Sequence, residues 1–193
     1  MAMRTKEGKT MTHPLVDQLR FARSEFARAL AGVDEDGGRR RIGPVNSLSW
    51  MVGHLADQEQ RYWLESQGKA PVVPGLNSLV GYGQPASTPP FAEIWEAWRE
   101  ITTAADLFLD TLTVTDLQQL SPNLRPTLRE SVGTLLLRVT GHYWFHTGEA
   151  HAVRQLLGHS NLPDFVGDIG RKAPYRPETA CGDVVVAGTE GGS

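Results

Sequence analysis

The stretch from Leu128 to Leu157 constrains the fold more than any other: it holds no proline and repeats apolar side chains at threes and fours. Residues so spaced lie on one face of an α-helix. That face reads Val132, Leu135, Leu136, Val139, His142, Tyr143, His146, Ala150, Val153 and Leu157. Thr127 and Glu130 have the spacing of a capping box at its start, and Gly158 suits the left-handed position that ends a helix. Two histidines sit inside an apolar face, where a polar group is costly without a partner.

Three further segments carry the same period, and none alternates like a strand. Residues 14–33 repeat Leu15, Leu19, Ala22, Phe26, Leu30 and Val33, with Thr12 as a cap near Pro14. Gly37 and Gly38 then open a polar loop in which Arg39, Arg40 and Arg41 read as a solvated connector. Residues 47–66 follow a capping candidate at Asn46 and place Leu48, Met51, Val52, Leu55 and Tyr62 on one side. Residues 91–112 carry Phe91, Ile94, Trp95, Trp98, Ile101, Ala105, Phe108, Leu109 and Leu112, an aromatic weight that fills a core. The chain is therefore expected to be all-α. Between the second and third helices runs a long segment rich in Gly and Pro, from Gly68 to Pro90. Connections of that length act as covers or crossovers, so these two helices need not be joined by a tight turn.

With 193 residues, 40% of them hydrophobic, the chain can bury a sizeable core without a disulfide or metal to hold it. Residues 1–159 form the helical domain, and residues 160–193 lose periodicity and read as an irregular extension, fraying from Val184 to Ser193. The net charge of -3 argues against nucleic acid or an anionic membrane as partner. Cys181 is the only cysteine, which excludes a disulfide within the chain. No run approaches the roughly 20 apolar residues of a membrane span. The polar start from Met1 to Thr12 lacks the apolar middle of a secretory signal, so the expected compartment is the cytoplasm.

The chemistry gathers on the fourth helix. His142 and His146 are one turn apart and face the same way, supplying two imidazoles to a divalent ion that takes nitrogen donors at about 2.0–2.1 Å. The same spacing also fits a hydrogen-bonded core pair. His54, at the edge of the second helix's stripe, could be a third donor or a surface histidine. Glu149 is placed to be a fourth ligand, an anchor behind a histidine, a general base, or the salt-bridge partner of Arg154. Asp57, one turn beyond His54, could orient a histidine from behind. Glu59 points away from His54 and reads as solvated. His13, His151 and His159 fall outside the constellation.

The run Trp50-Met-Val-Gly-His54-Leu-Ala-Asp57-Gln-Glu-Gln-Arg-Tyr-Trp63 and the run His142-Tyr-Trp-Phe-His146-Thr-Gly-Glu149-Ala-His-Ala-Val-Arg-Gln155-Leu-Leu-Gly158 resemble the DinB/YfiT-like superfamily of metal-dependent bundle proteins. The likeness covers about Pro14 to Gly158. It implies that His54, His142 and His146 are three ligands of one divalent metal, Zn2+ or another ion such as Ni2+. It also implies a four-helix bundle with a long crossover between helices two and three, and a second copy of the chain as partner. Relatives include enzymes that use small thiols such as mycothiol or bacillithiol, as transferases or as a maleylpyruvate isomerase. The chain departs from the family's usual Arg or Gln where it carries Glu149. The expected function is a thiol-dependent S-transferase acting on a small electrophile. A metal-assisted hydrolase and a non-catalytic metal- or ligand-binding stress-response protein are the alternatives.

Overall fold

The computed structural model describes residues 12–122 and 129–176. Among these residues the protein is all-helical, and its only β pairing is an isolated bridge between Leu120 and Ser131. Four long helices, α1 (Pro14–Ala29), α3 (Leu48–Trp63), α5 (Phe91–Leu109) and α7 (Val132–Leu156), carry the core. Four short ones, α2 (Glu35–Arg39), α4 (Leu76–Val80), α6 (Val114–Gln118) and α8 (Ile169–Lys172), sit in the connections and after α7. Helix α1 packs along α7, α3 along α5, and α3 also meets α7. No described helix is long and apolar enough to cross a membrane.

Local chemistry moves several helix starts from where the sequence placed them. Helix α1 is capped by His13, whose Nδ1 accepts from the Leu15 N–H at 3.2 Å, and not by Thr12. Helix α3 is capped by Ser47, whose Oγ accepts from Trp50 N–H at 3.1 Å, and not by Asn46. Helix α7 begins at Val132 behind Ser131; Thr127 lies outside the described residues. The last turns of residues 14–33 and 91–112 are not α-helical: α1 and α5 stop at Ala29 and Leu109. Gly158, with φ +82°, takes the left-handed position expected of it. Arg39, Arg40 and Arg41 are exposed, as a solvated connector requires. In α2, which ends at Arg39, Glu35 caps α5, accepting from the Phe91 and Ala92 N–H groups at 3.0 and 3.2 Å. The extension contains α8, and Ala173 behind it is buried against α1, its carbonyl accepting from Gln18. Cys181 and the run from Val184 lie outside the described residues.

Helix α3 occupies the middle of the molecule, and every residue from Leu48 to Trp63 except Arg61 is buried. An amphipathic stripe was too narrow an expectation for it. The correction is largest at Glu59, which is fully buried rather than solvated. Its carboxylate accepts from Arg23 Nε at 2.6 Å, from a second Arg23 nitrogen, and from the Tyr143 hydroxyl at 2.7 Å. The Trp98 indole N–H donates to Tyr143 at 2.8 Å. Arg23, Glu59, Trp98 and Tyr143 come one each from α1, α3, α5 and α7, so a single polar knot registers all four long helices. Burial alone would lower the Arg23 guanidinium, but the Glu59 charge and bonds, with Asp106 at 2.7 Å, leave it raised. Burial and then the Glu59 charge push the Tyr143 hydroxyl well above its ordinary value. A buried knot of this kind specifies one arrangement, because any slip strands a charge.

Candidate metal centre

One residue from Glu59 on α3 and one from Tyr143 on α7 stand Gln58 and His142, so the knot sets the two helices where the histidines lie. His54, His142 and His146 offer nitrogen atoms that all lie within 4.8 Å of one another. His54 and His146 are buried and His142 is half-buried. The rings meet edge to face: His54 lies 5.0 Å from His142 and 5.4 Å from His146, centroid to centroid. Sequence separation of His54 from the other two is bridged by the packing of α3 on α7.

Each imidazole is held from behind by an oxygen. His54 Nδ1 meets the Val80 carbonyl at 2.9 Å, His142 Nδ1 meets Gln58 Oε1 at 2.7 Å, and His146 Nδ1 meets Glu149 Oε2 at 2.7 Å. A carbonyl or carboxylate oxygen can only accept, so each Nδ1 donates and carries the proton. In the neutral rings the Nε2 atoms then present lone pairs. Those of His142 and His146 face each other at 2.9 Å, a repulsive contact that a cation between them would relieve. Burial, then repulsion from His146 and His54, pushes His142 down to about 3. Burial likewise lowers His54, against the opposing pull of the Val80 bond. The donor set therefore fits a divalent transition metal, for which neutral imidazoles backed by oxygen acceptors are the usual ligands.

The surroundings shape this cluster. Trp50, one turn before His54, stacks on it at 4.4 Å and presents its edge to His146 at 6.2 Å. Phe145 lies edge-on to His146 at 5.1 Å. The Gly/Pro-rich connection supplies Val80 through α4, and Asn77 of α4 donates to Asp57 Oδ2 at 2.9 Å. Gly53 makes this approach feasible: a Cβ there would stand 2.8 Å from Ile94 and 3.0 Å from Val80.

Two expectations for the carboxylates need correction. Asp57 accepts no hydrogen bond from a histidine; its Oδ2 accepts from Arg61 Nε at 2.9 Å and from Asn77, so it anchors the connection to α3. Glu149 makes no salt bridge with Arg154, which instead reaches the Ala29 carbonyl and His159. Of the histidines left aside, His13 caps α1 and His151 packs against Phe165. The sequence reading missed Gln58, Trp50 and Val80. Gln58 and Trp50 stand four residues after and before His54 on the same helix face, but the apolar spacing gives no sign that this face is buried. Val80 acts through its backbone and leaves no side-chain signal.

Fold and site together define an all-helical protein that gathers three histidines on the inner faces of two packed helices. The chain belongs to the DinB superfamily, whose model matches residues 18–150. Among solved structures it is similar to a conserved protein from Enterococcus faecalis, with 13% identity and a TM-score of 0.60. That likeness covers 78% of this chain and 100% of the other, and it is one of fold. No curated protein matches the chain.

Proposed function

We propose that the protein is a divalent-metal-dependent enzyme that joins a low-molecular-weight thiol through its sulfur to an electrophile, with Zn2+ held by His54, His142 and His146. The observation that carries this reading is the placement of the three rings: each Nδ1 lies against an oxygen, and the Nε2 atoms of His142 and His146 stand 2.9 Å apart. Three imidazoles alone would leave room on such an ion for a water or thiol, as catalytic rather than structural zinc sites do. When bound there, the ion supplies acidity, lowering the pKa of a thiol or water enough to give a nucleophile at neutral pH. Glu149 keeps His146 Nδ1 protonated and makes Nε2 the stronger donor. Trp50 and Phe145 give the cluster apolar flanks.

In the transfer a sulfur–carbon bond forms, the bond from carbon to the leaving group breaks, and the thiol proton departs with that group. The framework for this reading is a four-helix bundle of α1, α3, α5 and α7 within residues 1–159, with the Gly68–Pro90 connection as crossover. Superfamily membership and the packing of these helices support it. Cytoplasm is the expected compartment, because it keeps small thiols reduced.

The test is turnover of a small thiol with 1-chloro-2,4-dinitrobenzene. S-conjugate should form with the zinc-loaded protein, stop on chelation and return with Zn2+. Turnover without thiol, releasing the hydrolysed product, would replace the transferase with a hydrolase. Metal binding with no turnover of either kind would leave a binding protein. A wild-type chain that takes up no metal at neutral pH would remove the proposal altogether.

A further inference from the structure

Trp50 buries a polar group for which the chain supplies no partner. The residue is 7% exposed, and its indole Nε1 is fully buried with no hydrogen-bond acceptor among the described residues. A donor so placed gives up its hydration and gains nothing for it. Phenylalanine would cover His54 with an aromatic face and carry no such cost. Tryptophan at this position therefore calls for an acceptor.

The histidines beside it are not that acceptor. An indole N–H points outward in the plane of its ring, and the Trp50 and His54 rings lie only 13° from parallel, with centroids 4.4 Å apart. His54 thus offers Trp50 its face, and its Nδ1 is engaged with Val80. His146, 6.2 Å away, has Nδ1 on Glu149 and Nε2 against His142. Trp50 is in ring contact with two of the three histidines, whereas Phe145 meets His146. A second indole N–H, that of Trp63, is also buried without an acceptor. Trp63 follows His54 by nine residues, which turns it to the opposite side of α3, and its ring neighbours are Tyr62 and Phe108. Trp50 precedes His54 by four and shares its face.

Charge says what the acceptor is. Among the described residues Glu149 is the only carboxylate hydrogen-bonded to the three rings; Val80 and Gln58 back the others with neutral oxygens. A divalent ion held there keeps a net positive charge, and an anion is the ligand that completes it. We infer that the Trp50 N–H is the hydrogen-bond donor to a small anion, such as a thiolate, that joins the ion at His54, His142 and His146. The inference rests on the three-histidine metal site and not on the transfer reaction. A donor to the charged form favours it over the protonated one, so Trp50 selects thiolate over thiol.

Azide, an anion that needs no second substrate, is the probe. In heteronuclear NMR spectra of nitrogen-labelled, zinc-loaded protein, azide should move the Trp50 indole cross-peak downfield, the peak being assigned through its side-chain connectivity. The Trp63 cross-peak should stay in place, and neither should move in zinc-free protein. Trp50→Phe keeps an aromatic ring on His54, so zinc uptake should remain stoichiometric. Its azide affinity, followed by the infrared stretch of bound azide, should fall about 10–100-fold, the range for losing a hydrogen bond to a charged group. If that variant fails to fold, the wild-type cross-peak decides alone. Azide that binds without moving the Trp50 peak, or binds Trp50→Phe as tightly as the wild type, overturns the inference and leaves the metal site standing. Zinc-loaded protein that binds no azide does the same. Protein that takes up no zinc overturns both.

Discussion

Replacing Glu59 by leucine should be among the most destabilising single changes in this protein. The carboxylate is fully buried and accepts three hydrogen bonds, two from Arg23 and one from Tyr143. Leucine leaves the Arg23 guanidinium, itself only 4% exposed, without its principal counter-charge. Breaking one partner out of a buried ion pair costs about 3–5 kcal/mol. Asp106 stays 2.7 Å from Arg23 and is partly solvated, which holds the loss near the lower end, about 3 kcal/mol. For a chain of this size that is a fall in Tm of roughly 6–12 °C. Urea unfolding of the metal-free protein at pH 7, followed by circular dichroism, gives the free energy directly. The double variant Arg23→Met, Glu59→Leu should recover most of the loss, because apolar replacement of both partners removes the stranded charge. A Glu59→Leu loss below about 0.5 kcal/mol, within the range of ordinary surface substitutions, would refute the knot as a register device. A double variant no better than the single one would refute it as well.

His146→Ala should abolish stoichiometric metal uptake while leaving the helical spectrum intact, because buried apolar side chains, at about 1.5–3 kcal/mol each, supply the stability. Glu149→Ala should instead weaken metal affinity by about 10–100-fold, measured by competition with a chromophoric chelator, since only the orientation and basicity of His146 are lost. Gly53→Ala should destabilise the fold by about 1–3 kcal/mol and also weaken metal binding, because the added methyl presses on Val80, which holds His54. In the metal-free protein, His142 is lowered to about 3 and His54 is lowered too, so the unfolded chain binds protons that the folded chain refuses. Stability should therefore be full above about pH 6.5, the ordinary histidine value, and fall as pH drops from there toward 3, read as Tm against pH.

The period of three and four placed all four long helices, since apolar spacing survives whatever else a helix does. Helix ends were less legible. Ser47 and His13 displaced Asn46 and Thr12 as caps because the cap is decided by which side chain reaches a free N–H, a geometric matter of a single residue. The three histidines were visible as types and spacings, but their partners were not. Gln58 and Trp50 required the knowledge that α3 is buried on nearly every side, and an amphipathic pattern cannot report that. Glu59 misled for the same reason: a glutamate off the apolar stripe reads as solvated unless Arg23, Trp98 and Tyr143 are known to converge on it.

Zinc-edge anomalous diffraction from crystals of the zinc-loaded protein tests the metal assignment most directly. One anomalous peak per chain is expected, about 2.0–2.1 Å from the Nε2 atoms of His54, His142 and His146, with Nδ1 of each still on its oxygen. A peak elsewhere, or protein loaded at neutral pH that shows no peak between these three rings, would contradict it.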